Sequence, residues 1–208
     1  MSYYSTNQYK EKENTWFEKF YFKRWFKDNP GPILDMGCAT GNFISINPDI
    51  IEGIDIDEDC LVVCRKRGFN VKHVDADSGL SELPGDYYKG IYSKQIIEHI
   101  HSPLEYMKQV RRMLQKGGKA VLLTPNCPYA LNKFFWDDYT HVRPLTKESL
   151  KRLALDAGFK KFTIYTDFRC FPGLGRLIRM FHLTPAFISR IQRLFFIQGL
   201  TLIIVLEK

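Results

Sequence analysis

Short apolar runs alternate along this chain with longer stretches in which apolar residues recur every three or four positions. Residues 33–36, 51–56, 70–74, 89–92 and 120–123 read as strands, the first ending on Asp35-Met36 and the second on Asp55-Ile56. Between them, residues 58–68 read as a helix stopped by glycine, with Leu61, Val62 and Cys64 on its apolar face. After Pro103, Leu104, Met107, Val110, Met113 and Leu114 form a helical stripe that Lys116-Gly117-Gly118 ends, and residues 42–47 leave room for only a short helix before Pro48. Residues 161–167 and 200–207 read as two further strands. Strands alternating with helices predict an α/β fold, a doubly wound and mostly parallel sheet whose ligands lie outside the carboxyl ends of its strands.

Two segments depart from that alternation. Residues 1–12 are polar, and from Asn14 onward Trp16, Phe17, Phe20, Tyr21, Phe22, Trp25 and Phe26 alternate with lysines in a helical pattern that stops near Asp28-Asn29-Pro30. Residues 1–29 therefore stand apart from a single domain at 30–208. Their aromatic helix serves either as a lid over a binding site or as a helix packed on the sheet, and its seven aromatics exceed one face. From 171 to 198 there is no acid, while Arg176, Arg179, Arg190 and Arg193 punctuate leucines, isoleucines and phenylalanines. That stretch predicts a basic amphipathic helical insertion broken at Thr184-Pro185. It would dock on an anionic membrane surface, roof an acceptor pocket, or form a homodimer contact.

At 208 residues the chain holds one α/β domain and is too short for two ordinary ones. Thirty Lys and Arg against 23 Asp and Glu give a net charge of +7, a balance that permits an anionic partner without requiring one. Nucleic acid is disfavoured, because the late cations alternate with aliphatics rather than with exposed stacking aromatics. Five cysteines with no Cys-x-x-Cys pair point to a reduced, cytoplasmic protein, on the inner membrane face if the basic insertion docks there. No metal-ligand cluster stands out in the spacing. The N-terminus lacks an apolar signal core and no run approaches the ~18 residues of a spanning helix, so the expectation is a protein neither exported nor integral.

The candidate chemistry gathers at the strand ends. Asp35-Met36-Gly37-Cys38-Ala39-Thr40-Gly41 reads as a strand running into a tight glycine turn, which brings main-chain amides and a carboxylate to one crevice suited to a ligand with cationic and hydroxyl parts. The dinucleotide pattern Gly-x-Gly-x-x-Gly is absent. Asp55 follows Asp35 by 20 residues, about where a βαβ unit places a ribose-binding acid.

Taken in order, Asp35-Met36-Gly37-Cys38-Ala39-Thr40-Gly41, Gly53-Ile54-Asp55, Val74-Asp75-Ala76, Ile97-Glu98-His99 and Leu114-Gln115-Lys116-Gly117-Gly118 resemble the ordered motifs of class I S-adenosylmethionine-dependent methyltransferases. The likeness covers roughly residues 30–126 and departs from the family at Ala39, where a glycine is usual. It implies a seven-stranded Rossmann-like sheet whose last strand inserts antiparallel between strands five and six, with S-adenosyl-L-methionine as the cofactor. On this resemblance Asp35, Gly37, Cys38 and Gly41 form the turn around the donor, Asp55 with Ile56 receives the ribose, Asp75 and Ala76 meet the adenine, and Ser93 completes the rim. Relatives that methylate small-molecule hydroxyls carry a His-x-Arg-x-x-Thr stretch before a helix ending in Ala-Gly-Phe, which residues 141–159 match. Two histidines are candidate bases: His141, on a polar segment that overhangs the acceptor side, and His99, just after strand four. A structural role in bridging a loop remains the alternative for each. The acceptor implied is an oxygen, less readily a nitrogen, of a small molecule, a polysaccharide sugar or a lipid-linked compound. An RNA methyltransferase and a non-catalytic donor-binding regulator are the alternatives. The Asn-Pro-Pro-aromatic loop of some nucleobase enzymes is missing, since Ser93-Lys94-Gln95-Ile96 stands in its place.

Overall fold

In a computed structural model of the chain, residues 16–29, 31–127, 129–130, 133–167 and 199–208 are described. The polar start of the chain and the basic stretch at 171–198 lie outside them. Seven strands form one sheet: β1 (Ile33–Met36), β2 (Ile51–Asp55), β3 (Val71–His73), β4 (Tyr88–Lys94), β5 (Leu114–Pro125), β6 (Lys161–Thr166) and β7 (Thr201–Glu207). Their spatial order is β3-β2-β1-β4-β5-β7-β6. The pairs among β1 to β5 are parallel, and β7 runs antiparallel to both β5 and β6, the arrangement expected from the sequence.

Side-chain alternation divides the core into two layers. Leu34, Met36, Leu122, Ile204 and Leu206 face one side, where α3 (Pro103–Met113) and α5 (Lys147–Asp156) cover them through Met107, Val110, Leu150 and Ala154. Ile33, Val121, Leu123, Ile203 and Val205 face the other, against α1 (Trp16–Trp25) and α2 (Glu58–Lys66). The aromatic helix is thus packed on the sheet. Tyr21 is buried against Tyr92, Phe26 is buried beside Phe43, and the ring of Phe43 stacks on Tyr92 at 4.1 Å. Full burial of Phe26 alone contributes about 1.5–3 kcal/mol. Two polar links fix the helix lengthwise: Tyr21 Oη donates to Asp167 Oδ2 at 3.1 Å, and Lys94 Nζ donates to Glu18 Oε1 at 2.9 Å.

Several boundaries differ from the sequence expectation. β5 starts at Leu114, so Gly117 and Gly118 lie within the strand rather than before it. The Gly117 amide donates to Lys208 O and the Lys208 amide to Gly118 O, so the far end of β7 supplies partners that local sequence cannot show. The expected helix at 42–47 is one 3-10 turn, Ile44–Ile46. A short helix, α4 (Lys133–Trp136), precedes the segment carrying His141. Among the described residues no helix is long and apolar enough to cross a membrane.

Candidate active site

Register places the chemistry-bearing residues at one margin. Asp35 pairs with Gly53 and Tyr92, so Asp35, Asp55, Lys94 and Thr124 come from the carboxyl-end portions of four adjacent parallel strands. After β1 the chain makes a turn with three residues in the left-handed region, Gly37 (φ 75°), Ala39 (φ 47°) and Gly41 (φ 82°). The amides of Gly37 and Cys38 both donate to Ile54 O, which ties the turn to β2. The left-handed φ at Gly37 favours glycine, and a Cβ there would lie 2.1 Å from Ile96 Cδ1 and force that side chain to move. Ala39 holds its costly conformation because its amide donates to Asp55 Oδ2 at 2.7 Å. Asp55 Oδ1 accepts from the Asp57 amide at 2.9 Å, and Asp57 in turn caps α2. Burial raises the Asp55 carboxyl, while the Asp57 and Ala39 amides pull the other way.

Asp35 is buried at the floor of this turn, and among the described residues no group donates a hydrogen bond to it. Burial first, then the nearby Asp55, hold its carboxyl well above the usual carboxylate range, with Lys94 opposing. A desolvated acid without a donor, beside a carboxylate whose oxygens keep further lone pairs, fits the cationic methionyl end and the ribose of S-adenosylmethionine. Cys38 is buried next to it, and a hydrogen bond with Cys64 together with burial keeps it a thiol rather than a nucleophile.

The remaining expected contacts are placed unevenly. Ile56, just past β2, exposes 62% of its surface and could cover a flat ring. The Asp75 carboxylate is engaged locally, accepting from the Asp77 amide at 2.9 Å and from Ser78 Oγ at 2.6 Å, and Ala76 packs against the core below it. Ser93 turns inward, its hydroxyl 2.7 Å from Tyr106 Oη and its surface buried, so the side chain meets the core and not the rim. Asp77, two residues past Asp75, ties this loop to the next by accepting from the amides of His101 and Ser102 and from His101 Nδ1. Although its partial burial opposes this, those bonds hold Asp77 below the usual range.

On the acceptor side the structure joins His99 and His141, whose rings lie 4.6 Å apart, and adds Glu98 beside them. One donor atom from each of the three lies within 4.8 Å of the others. Glu98 is fully buried; Thr124 Oγ1 donates to its Oε2 at 3.0 Å, while Oε1 has no partner among the described residues. Burial pushes its carboxyl up to about 8, against the bond from Thr124. Burial, followed by the neighbouring His141, lowers the His99 imidazole below its ordinary range. His141 Nδ1 lies 2.6 Å from Phe135 O, so it carries the proton. Thr140 Oγ1 gives its own proton to Asp138 Oδ1 at 2.5 Å and therefore accepts from His99 Nδ1 at 2.9 Å. His141 Nε2 faces the Asp138 carboxylate, 4.0 Å from its Oδ2. Glu98 stood in the motif with no role read for it, and Thr124, Asp138 and Thr140 carried no spacing signal.

A sheet of this order, with a glycine turn and acid-ended strands at one margin, defines the class I S-adenosylmethionine-dependent methyltransferases. The chain belongs to the methyltransferase domain family, whose model matches residues 10–164, and its methyl donor is S-adenosyl-L-methionine. It is 25% identical over 154 residues to a probable S-adenosylmethionine-dependent methyltransferase of Mycobacterium tuberculosis, a match covering 71% of this chain and 56% of that protein. The chain thus spans little more than half the length of this relative. A ubiquinone biosynthesis O-methyltransferase of Roseobacter denitrificans is 28% identical over 104 residues, 45% of this chain and 41% of that one. Among solved structures, an S-adenosylmethionine-dependent methyltransferase from Archaeoglobus fulgidus superposes with a TM-score of 0.71 at 24% identity, covering 93% of this chain and 94% of its own, a likeness of fold.

Proposed function

We propose that this protein transfers a methyl group from S-adenosylmethionine to an oxygen of a small-molecule, polysaccharide-sugar or lipid-linked acceptor. The observation that carries the reading is the meeting of Glu98, His99 and His141 at the ends of β4 and β5, one strand away from the glycine turn. The bound donor supplies an electrophilic methyl, and as the new C–O bond forms the C–S bond breaks with its electron pair left on sulfur. What the chain must do is align the acceptor in line with that bond and take charge of the hydroxyl proton. A hydroxyl needs such help because it is a poor nucleophile while protonated, and Glu98, His99 and His141 bring one basic atom each to the same place.

The segment carrying His141 also supports an acceptor with an apolar part. Tyr129, Trp136, Tyr139 and Val142 are all exposed there, Tyr139 by 95%. The Roseobacter relative is named for O-methylation in ubiquinone biosynthesis, which suits the same acceptor chemistry. The basic stretch at 171–198 supports a place on an anionic membrane surface, where lipid-linked acceptors reside. Sedimentation with anionic liposomes tests that part, and it fails if Arg176 and Arg190 substitutions leave sedimentation unchanged.

The test of the reaction is incubation of purified protein with methyl-labelled donor and a panel of phenolic, sugar and lipid-linked alcohols. Mass spectrometry and carbon NMR then locate the label. A label on oxygen is expected; a label on nitrogen alone, with every alcohol unmodified, would refute the proposal.

A further inference from the structure

We propose that Glu98, His99 and His141 form a binding site for a first-row divalent transition-metal ion, which acts as the Lewis acid on the acceptor oxygen. Its chemical consequence rests on the oxygen-acceptor reading above, while the binding itself does not. Three donor atoms from these residues converge within 4.8 Å, and Glu98 Oε1 is a fully buried oxygen without a hydrogen-bond partner among the described residues. Leaving such a group unmatched costs about 1–3 kcal/mol, more if it is ionised. Thr124 occupies Oε2, so the carboxylate is already oriented and Oε1 is the oxygen left for a ligand.

The imidazoles are prepared in the same way. His141 donates through Nδ1 to Phe135 O, and His99 donates through Nδ1 to Thr140, whose hydroxyl is fixed by Asp138. Ligating histidines characteristically donate their other ring nitrogen to a backbone carbonyl or toward a carboxylate, which sets the tautomer and turns Nε2 toward the metal. Here both partners of that kind are present. Glu98, His99 and His141 each bring one ligand atom to the same place. A single proton can bridge only two of them, whereas one cation satisfies all three.

The ligand set names the class of ion. Two imidazoles with one carboxylate suit zinc, manganese, iron or cobalt, and not magnesium or calcium, which take oxygen ligands. Three protein ligands leave a position open, as catalytic sites do. Tetrahedral bonds of about 2.0–2.2 Å put donor atoms about 3.4 Å apart, so binding would draw these roughly 1.4 Å inside their present 4.8 Å limit. That closure would come from rotation of the three side chains about the bonds that Thr124, Thr140 and Phe135 make to them. In the open position an acceptor hydroxyl would become acidic and lose its proton to solvent, so neither imidazole has to serve as a free base.

The test uses the tag-free full chain, stripped of metal by chelating resin and titrated with Co2+. One equivalent should bind, with the visible absorption of four- or five-coordinate cobalt, and Zn2+ should compete it away. Glu98→Gln and His141→Gln should each weaken cobalt binding at least tenfold. In the wild-type protein cobalt should broaden the His99 and His141 ring resonances beyond detection, a readout independent of how well the variants fold. The proposal is overturned if folded, stripped protein binds no cobalt saturably, if folded variants bind as tightly as wild type, or if those resonances are unaffected. Undiminished O-methylation by metal-free protein would also overturn it and leave the oxygen-acceptor reading standing. Cobalt bound as described, with methyl delivered only to nitrogen, would do the reverse.

Discussion

Replacing Asp55 with alanine separates the structural and ligand-binding parts of the site. In the structure its two oxygens accept from the amides of Ala39 at 2.7 Å and Asp57 at 2.9 Å, and each oxygen keeps a lone pair for a ribose hydroxyl. Hydrogen bonds to a charged acceptor contribute about 1.5–3 kcal/mol each. Loss of both ribose bonds would remove about 3–6 kcal/mol, and part of this is returned because water re-solvates the freed hydroxyls. A loss of donor affinity of at least tenfold, about 1.4 kcal/mol, is the conservative expectation. Stability should fall less than the two amide bonds suggest, since removing a buried carboxylate whose ionisation is disfavoured offsets them. Titration calorimetry with S-adenosylmethionine and thermal unfolding of the same samples keep the two effects apart. Asp55→Asn, which retains one acceptor oxygen, should fall between wild type and alanine. A folded Asp55→Ala protein with unchanged donor affinity would refute the assignment.

Ala39→Gly should stabilise the protein by up to about 1 kcal/mol, because relief of a left-handed alanine exceeds the freedom added to the unfolded chain; thermal unfolding checks this, and a lower midpoint would contradict it. The raised Asp35 carboxyl gives a pH dependence of definite sign. A group whose folded pKa lies above its unfolded value stabilises fully below the unfolded value and loses that contribution as pH rises through the folded one. Unliganded protein should thus lose stability from acid toward neutral pH, while affinity for the cationic donor rises. Asp35→Asn should flatten both trends, and a donor affinity that falls as pH rises would contradict the assignment. Tyr21→Phe removes a bond to the buried Asp167 and should lower stability by about 1.5–3 kcal/mol in denaturant unfolding, with donor affinity little changed.

Most of the donor side was legible in the sequence because its signals are local. A strand ending in Asp35, a turn that Gly37 favours, and an acid after the next strand each follow from neighbouring residues, and the parallel sheet then brings them together. Elements whose partners are distant were harder to read. Gly117 and Gly118 look like a break, yet Lys208 pairs with both and keeps them in β5. The side chain of Ser93 follows its strand face into the core toward Tyr106, a choice that register decides and composition does not. The acceptor side was half legible: His99 and His141 were each visible as candidates. Their contact, the Glu98 oxygen without a partner among the described residues, and the Thr140–Asp138 relay that sets a tautomer come from loops far apart in the chain.

The central claim is that the nucleoside is gripped where β1, β2 and β3 end. The most direct measurement is a crystal structure of the full chain with S-adenosylhomocysteine. The ribose hydroxyls are expected on the Asp55 carboxylate and the amino-acid end over Asp35 and the glycine turn. A crystal grown in saturating compound with that margin empty, or with the nucleoside bound elsewhere, would contradict it.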